Sequence, residues 1–177
     1  MHYLPIYYSN HLGFLSRIHA FWLFVWKSIR LLRKLPDADI HYILTTPLTT
    51  GLIGRYFRKH RKIPYLFEVG DIWPEAPRQL NLLKNPLLLS LARRLEKKNY
   101  DGAMALAGLS PAISNYLKNA CPDKPVLTLP NISDTEYFNM EPKDPGLEER
   151  YNVRGKFVIS YIGTLGMANH LEYLLEA

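Results

Sequence analysis

The sequence predicts an α/β fold, a parallel sheet with helices on both faces. Three observations predict it. Short apolar runs alternate with segments of helical periodicity along most of the 177 residues, the order that builds parallel strands joined by crossover helices. Two helices open on a capping residue followed by proline, at Asn85-Pro86 and Ser110-Pro111. Such a cap accepts from orphan N–H groups, and the proline has no N–H to leave unpaired. The apolar run 63–69 then breaks into Gly70-Asp71-Ile72-Trp73-Pro74-Glu75. With Glu68, this sets three carboxylates and an indole at the C-terminal end of a strand, the edge where open α/β sheets bind ligands. The same cluster also reads as a helix start, with Asp71 as cap and Glu75 in the first turn. The two readings are compatible.

The elements follow in order. Residues 13–35 form a long helix, because Phe14, Ile18, Phe21, Trp22, Val25, Ile29 and Leu32 recur at steps of three and four. It is either packed on a sheet with its basic end solvated, or laid on a membrane surface. Arg17, His19 and Lys27 interrupt it too early for a membrane span. Residues 39–44 are a strand, Thr45-Thr46-Pro47 a turn, and 48–60 a short helix whose Gly51 and Gly54 allow close approach to a sheet. Strand 63–69 comes next, and Pro74 ends any regular structure there. The helix from Pro86 to Tyr100 buries Leu87, Leu88, Leu91 and Leu95 and carries Arg93, Arg94, Lys97 and Lys98 in its last turns. Strand 101–107, a helix from Pro111 to Asn119 and strand 125–129 complete the series. Residues 140–146, with two prolines and a glycine, read as a linker. Strand 156–162, the loop Gly163-Thr164-Leu165-Gly166 and a helix from about Asn169 open a second domain.

Composition narrows the class. A hydrophobic content of 47% excludes a disordered chain. Cys121 is the single cysteine, so there is no disulfide framework and a reducing cytoplasm fits. No Cys/His spacing suggests zinc, and Met1-His2-Tyr3-Leu4-Pro5 does not read as a signal peptide. The net charge of +6 is uneven: residues 1–62 hold ten Lys and Arg against Asp37 and Asp39, a formal +8. A basic surface of that kind suits nucleic acid, anionic lipid or a phosphorylated substrate. No helix-turn-helix, RNP or zinc pattern accompanies it, which argues against nucleic acid.

Taken together, these residues resemble the retaining glycosyltransferases of family four (group one), which have the GT-B fold. The match is best with the bacterial branch that builds capsular, exopolysaccharide and O-antigen chains. That branch has Phe-Glu-Val-Arg-Asp-Leu-Trp-Pro-Glu after a strand, and here it reads Phe67-Glu68-Val69-Gly70-Asp71-Ile72-Trp73-Pro74-Glu75. The Leu-rich basic helix, the Ala-rich strand and Ser110 follow in the family's order. The hallmark Pro-Asn-Gly-Val-Asp reads Pro130-Asn131-Ile132-Ser133-Asp134, and Tyr-x-Gly-Asn-Leu-Gly reads Tyr161-Ile162-Gly163-Thr164-Leu165-Gly166. Gly70 stands where the motif has Arg, so the contact of that side chain has no counterpart here.

The resemblance implies two Rossmann-like domains facing a cleft. Residues 1–139 would be a partial N-terminal, acceptor-side domain, 140–154 a linker, and 155–177 the truncated start of a C-terminal, donor-binding domain. Asp71 and Glu75 would line the acceptor side with Glu68 orienting them, and Trp73 and Asn131 would join the substrate site. Gly163, Thr164, Leu165 and Gly166 would hold the donor diphosphate through backbone N–H groups, with no metal and no cofactor. The donor's basic clamp and acidic pair would lie outside this sequence. The implied partners are a nucleotide-diphosphate sugar, a lipid-linked glycan acceptor and an anionic membrane face met by residues 13–35. The implied place is the cytoplasm, peripheral to the inner face of the plasma membrane. The alternative is a catalytically inactive truncated product, or a binding subunit of the same fold that needs a partner chain.

Overall fold

Four strands pair in chain order, every neighbour parallel: β1 (His41–Leu44), β2 (Tyr65–Val69), β3 (Ala105–Gly108) and β4 (Val126–Thr128). Helix α1 (Phe14–Leu32) precedes them. The connections are a 3-10 turn (Leu48–Thr50) with α2 (Gly51–Arg61), then α3 (Glu75–Gln79) with α4 (Pro86–Gly102), then α5 (Pro111–Ala120). This is the α/β class and the all-parallel, Rossmann-like sheet that the alternation predicts. The computed structural model describes residues 1–9, 12–79, 83–163, 169 and 171–176. The chain divides into two units, Met1–Asn131 and Ile132–Ala177.

Register fixes which side chains share a face. Ile43, Phe67, Leu106 and Val126 are opposite one another across the sheet. With Tyr65, Val69, Tyr100 of α4 and Leu117 of α5 they make one core. Helix α2 joins the same side, since a Cβ added at Gly54 would meet Ile43 Cδ1 at 2.5 Å and Tyr65 Cγ at 2.6 Å. The connecting helices α2, α4 and α5 therefore all cover one face, where the sequence reading has helices on both. Strands added in one direction through right-handed crossovers require the single face. The opposite face carries Tyr42, Leu44 and Leu127, which are 51%, 54% and 47% exposed. Helix α1 packs beside α2, Val25 against Ile53 and Phe57, and Trp22, counted in its apolar stripe from the sequence, lies on the exposed side.

Both caps form as the sequence indicates. Asn85 Oδ1 accepts from the N–H groups of Leu87 and Leu88 at 2.9 and 3.2 Å, and Ser110 Oγ accepts from Ile113 at 3.2 Å. The buried face of α4 differs from the expectation. Leu87, Leu88 and Leu91 are exposed, and the buried positions are Glu96, Asn99 and Tyr100. A 17-residue helix is about 25 Å long and a five-residue strand about 16 Å. The first half of α4 therefore overhangs the carboxyl edge of the sheet, and only its second half meets the core. The helix also runs on to Gly102, which delays β3 to Ala105 and leaves Arg93, Arg94, Lys97 and Lys98 before the last turn.

In the second unit, α6 (Pro145–Arg150) forms inside the stretch read as linker, its start capped by Asp144, and α7 is Glu172–Glu176. The strand expected over 156–162 is not formed. Phe157, Ile159 and Ile162 are 92%, 73% and 97% exposed. An apolar run becomes a strand only when a neighbour takes up its backbone N–H and C=O groups, and no described strand pairs with it.

The approach of α2 to the sheet rests on Gly54. Gly54→Val should overpack this contact and cost about 1–3 kcal/mol, read as a lower urea midpoint. Gly13→Val, where an added Cβ meets nothing within 4 Å, should leave the midpoint unchanged.

Candidate functional site

The carboxyl edge of the sheet collects the residues that follow each strand. After β1 come Thr45-Thr46-Pro47, after β2 Gly70-Asp71, after β3 Leu109-Ser110, and after β4 Leu129-Pro130-Asn131. The first two loops are tied together. Thr45 N–H donates to Glu68 O at 2.8 Å and extends the ladder past β1. Thr45 Oγ1 accepts from the Gly70 N–H at 2.9 Å, and Thr46 Oγ1 donates to Asp71 Oδ2 at 3.3 Å. Thr46 holds a φ of 86°, a conformation that β-branched residues rarely adopt. Such outliers concentrate where a site needs a side chain held in one place. The Thr46–Pro47 and Trp73–Pro74 peptides are both cis.

The residues singled out in the first unit each have a definite place. Asp71 is exposed and bonded to Thr46. Glu68 is buried on the opposite face of the sheet from the core, in the row Leu44, Glu68, Ala107, Leu127. Trp73 is half-buried, and Asn131 is exposed past β4. Strand β4 lies two strand spacings from β2, about 10 Å. Of the loop read as the donor site, Gly163 is exposed, and Thr164, Leu165 and Gly166 lie outside the described residues.

Glu75 sits in the first turn of α3, directly after the buried Pro74, as the helix-start reading has it, but Asp71 stands four residues ahead of the helix start and is not its cap. Its carboxylate accepts from Arg93 of α4 at 2.7 Å and from Arg78 at 2.6 Å. These bonds, Arg93 first, hold the Glu75 carboxyl below its usual range. Its contribution to stability is complete above the ordinary carboxylate range and is lost as pH falls through the lowered value. The three carboxylates thus have separate partners: Asp71 a hydroxyl, Glu75 two guanidinium groups, Glu68 the sheet face. The sequence reading missed Thr45, Thr46 and Arg93. The two threonines carried a usable signal, since they follow β1 as Gly70-Asp71 follows β2. Arg93 carried none, because its partner is 18 residues away.

One turn beyond Arg93, Glu96 is buried. Glu96 Oε1 accepts from the hydroxyls of Tyr100 at 3.0 Å and Tyr116 at 3.2 Å, which joins α4 to α5. Burial pushes its carboxyl up, against the two hydroxyl bonds that favour the charged form. A carboxyl raised on folding supports stability fully below its ordinary range and loses that support as pH rises through the raised value. Glu96→Gln keeps an acceptor oxygen and removes the charge. It should melt a few degrees higher than wild type at pH 8, with the difference closing at pH 4.

Among the described residues, no group of His, Cys, Asp and Glu gathers to hold a metal ion, and no helix is long and apolar enough to cross a membrane. Compared with known proteins, the chain matches no family model and no curated protein.

Proposed function

We propose that this chain is the acceptor-side part of a retaining glycosyltransferase, which moves a sugar from a nucleotide-diphosphate donor to a growing, lipid-linked cell-surface polysaccharide. Asp71 is the observation that carries the reading. It belongs to the Phe67-to-Glu75 motif and stands exposed at the carboxyl edge of a parallel sheet, one oxygen bonded to Thr46. Ligands of open α/β sheets bind at that edge. A carboxylate held by one hydroxyl keeps lone pairs for a second donor, and an acceptor hydroxyl is such a donor. Asp71 orients that hydroxyl, and Trp73 and Asn131 border it. Glu75, kept ionised by Arg93 and Arg78, fixes α3 against α4 beneath them. The Gly163–Gly166 loop, by resemblance alone, holds the donor diphosphate.

A second reading, a binding subunit that works only with a partner chain, is favoured by the exposed run of Phe157, Val158, Ile159 and Ile162. Nucleoside diphosphate binding that appears only when a partner is added would support it.

The test is transfer by the intact protein, offered a panel of UDP- and GDP-sugars with a membrane lipid extract and scored by nucleoside diphosphate release and label in lipid. One donor should be consumed. Asp71→Asn should lower kcat/KM about 10–100-fold, the worth of a hydrogen bond to a charged group, and Thr46→Val should lower it less. Unchanged transfer by Asp71→Asn would remove Asp71 from the site, and no donor consumed would refute the reading.

A further inference from the structure

We propose that α1 docks this protein on the surface of an anionic lipid bilayer. The helix lies flat against the headgroups through the stripe Leu15, His19, Trp22, Trp26, Arg30 and Arg33. The inference concerns a surface and does not rest on glycosyl transfer.

The stripe is a fact of helical geometry. Its positions follow one another at steps of three and four, which places them on one side of the helix, and all six are exposed. The other side holds Ala20, Val25 and Ser28, all buried, with Val25 set against α2. The core therefore claims one face of α1 and leaves the other exposed; among the described residues the N-terminal segment borders that face at its start, where Ile6, Tyr7 and Leu12 share a pocket with Leu15 and His19. That exposed face is not an ordinary solvated one. Leu15, Trp22 and Trp26 are 78%, 53% and 55% exposed. Indole is an apolar body with one N–H donor, the chemistry that settles at the boundary between headgroups and acyl chains.

Charge selects the occupant. Helix α1 contains no Asp or Glu, and neither does the segment before it. The Arg30 guanidinium lies 5.3 Å from the centre of the Trp26 ring, so cation and aromatic present themselves together. At its C-terminal end α1 is joined to the end of α2 by Arg61, which donates to Arg33 O at 2.8 Å. That junction adds exposed Lys34, Lys59 and Lys62. A duplex would satisfy these cations but offers no apolar layer for Leu15 and the indoles. An anionic bilayer satisfies both. No helix among the described residues is long and apolar enough to cross a membrane, so the helix lies on the surface.

The experiment uses vesicles of phosphatidylcholine with phosphatidylglycerol, and vesicles of phosphatidylcholine alone. Binding is read by co-flotation and by tryptophan emission in a Trp73→Phe background. The protein should float with the anionic vesicles at low salt, its emission shifting to the blue, and stay in solution with the neutral ones. Trp22→Ala/Trp26→Ala and Arg30→Glu/Arg33→Glu should each weaken partitioning about tenfold or more. The altered side chains are exposed, so both variants should keep the wild-type circular dichroism spectrum. No flotation at low salt would overturn the proposal, and so would flotation unaffected by both variants. Self-association lost in the tryptophan variant without vesicle binding would assign the stripe to a second copy of the chain. Binding to duplex RNA without vesicle binding would assign it to nucleic acid.

Discussion

The packing of this sheet depends on the ring of Tyr65. It is fully buried at the start of β2, and its hydroxyl donates to Asn99 O at 2.6 Å, near the end of α4. Burial pushes the phenol well above its ordinary pKa, so it remains a donor. Its backbone carbonyl accepts from Met104 at 2.9 Å just before β3. The absent side chains of Gly54 and Gly102 leave room for the ring and its hydroxyl. One residue therefore joins α2, α4 and two strands. The buried Asn99 amide extends the knot, since its Nδ2 donates to Leu48 O at 2.9 Å and ties the turn after β1 to α4. The positions at which β1 and β2 deliver Thr46 and Asp71 follow from this knot.

The second constraint is the direction of winding. Strands added always on the same side place α2, α4 and α5 on one face and leave Tyr42, Leu44 and Leu127 open on the other. Because α4 is longer than the strands it crosses, its first turns project past the carboxyl edge. Arg93 is thereby within reach of Glu75, and the loop after β2 is braced from the side of α4. Two carboxyls a short distance apart then meet opposite environments. Glu75 sits among guanidinium groups and is held ionised, whereas Glu96 is buried and pushed toward its neutral form.

Charge is divided between the two edges of the sheet. The C-terminal ends of α1 and α2 meet at the amino edge, joined by Arg61 to Arg33 and to Asp37, and bring Arg33, Lys34, Lys59, Arg61 and Lys62 there. The acids Asp71 and Glu75 follow β2 at the carboxyl edge. Helix α1 spans both edges, its last turn at the basic junction and its earlier turns beside the cavity that reaches Thr46 and Pro47.

By itself the sequence determined the elements that carry their own local signal. Alternating runs, two cap-then-proline starts and an acid cluster past an apolar run are short-range patterns, and they were legible as an α/β fold with Asp71 at the carboxyl end of a strand. Tertiary structure decided what depends on partners distant in the chain. Leu87, Leu88 and Leu91 have the period of a buried face yet lie exposed, because the sheet beneath them is too short. Residues 156–162 have the composition of a strand yet form none, because a ladder needs a neighbour. Trp22 fits the apolar stripe of α1 by spacing, but the face that meets α2 is chosen by Val25 and its partners. Thr46 met Asp71, and Arg93 met Glu75, only once the sheet had set two loops and a helix side by side. Periodicity is a property of neighbours along the chain, whereas burial and hydrogen bonding between elements are properties of neighbours in space.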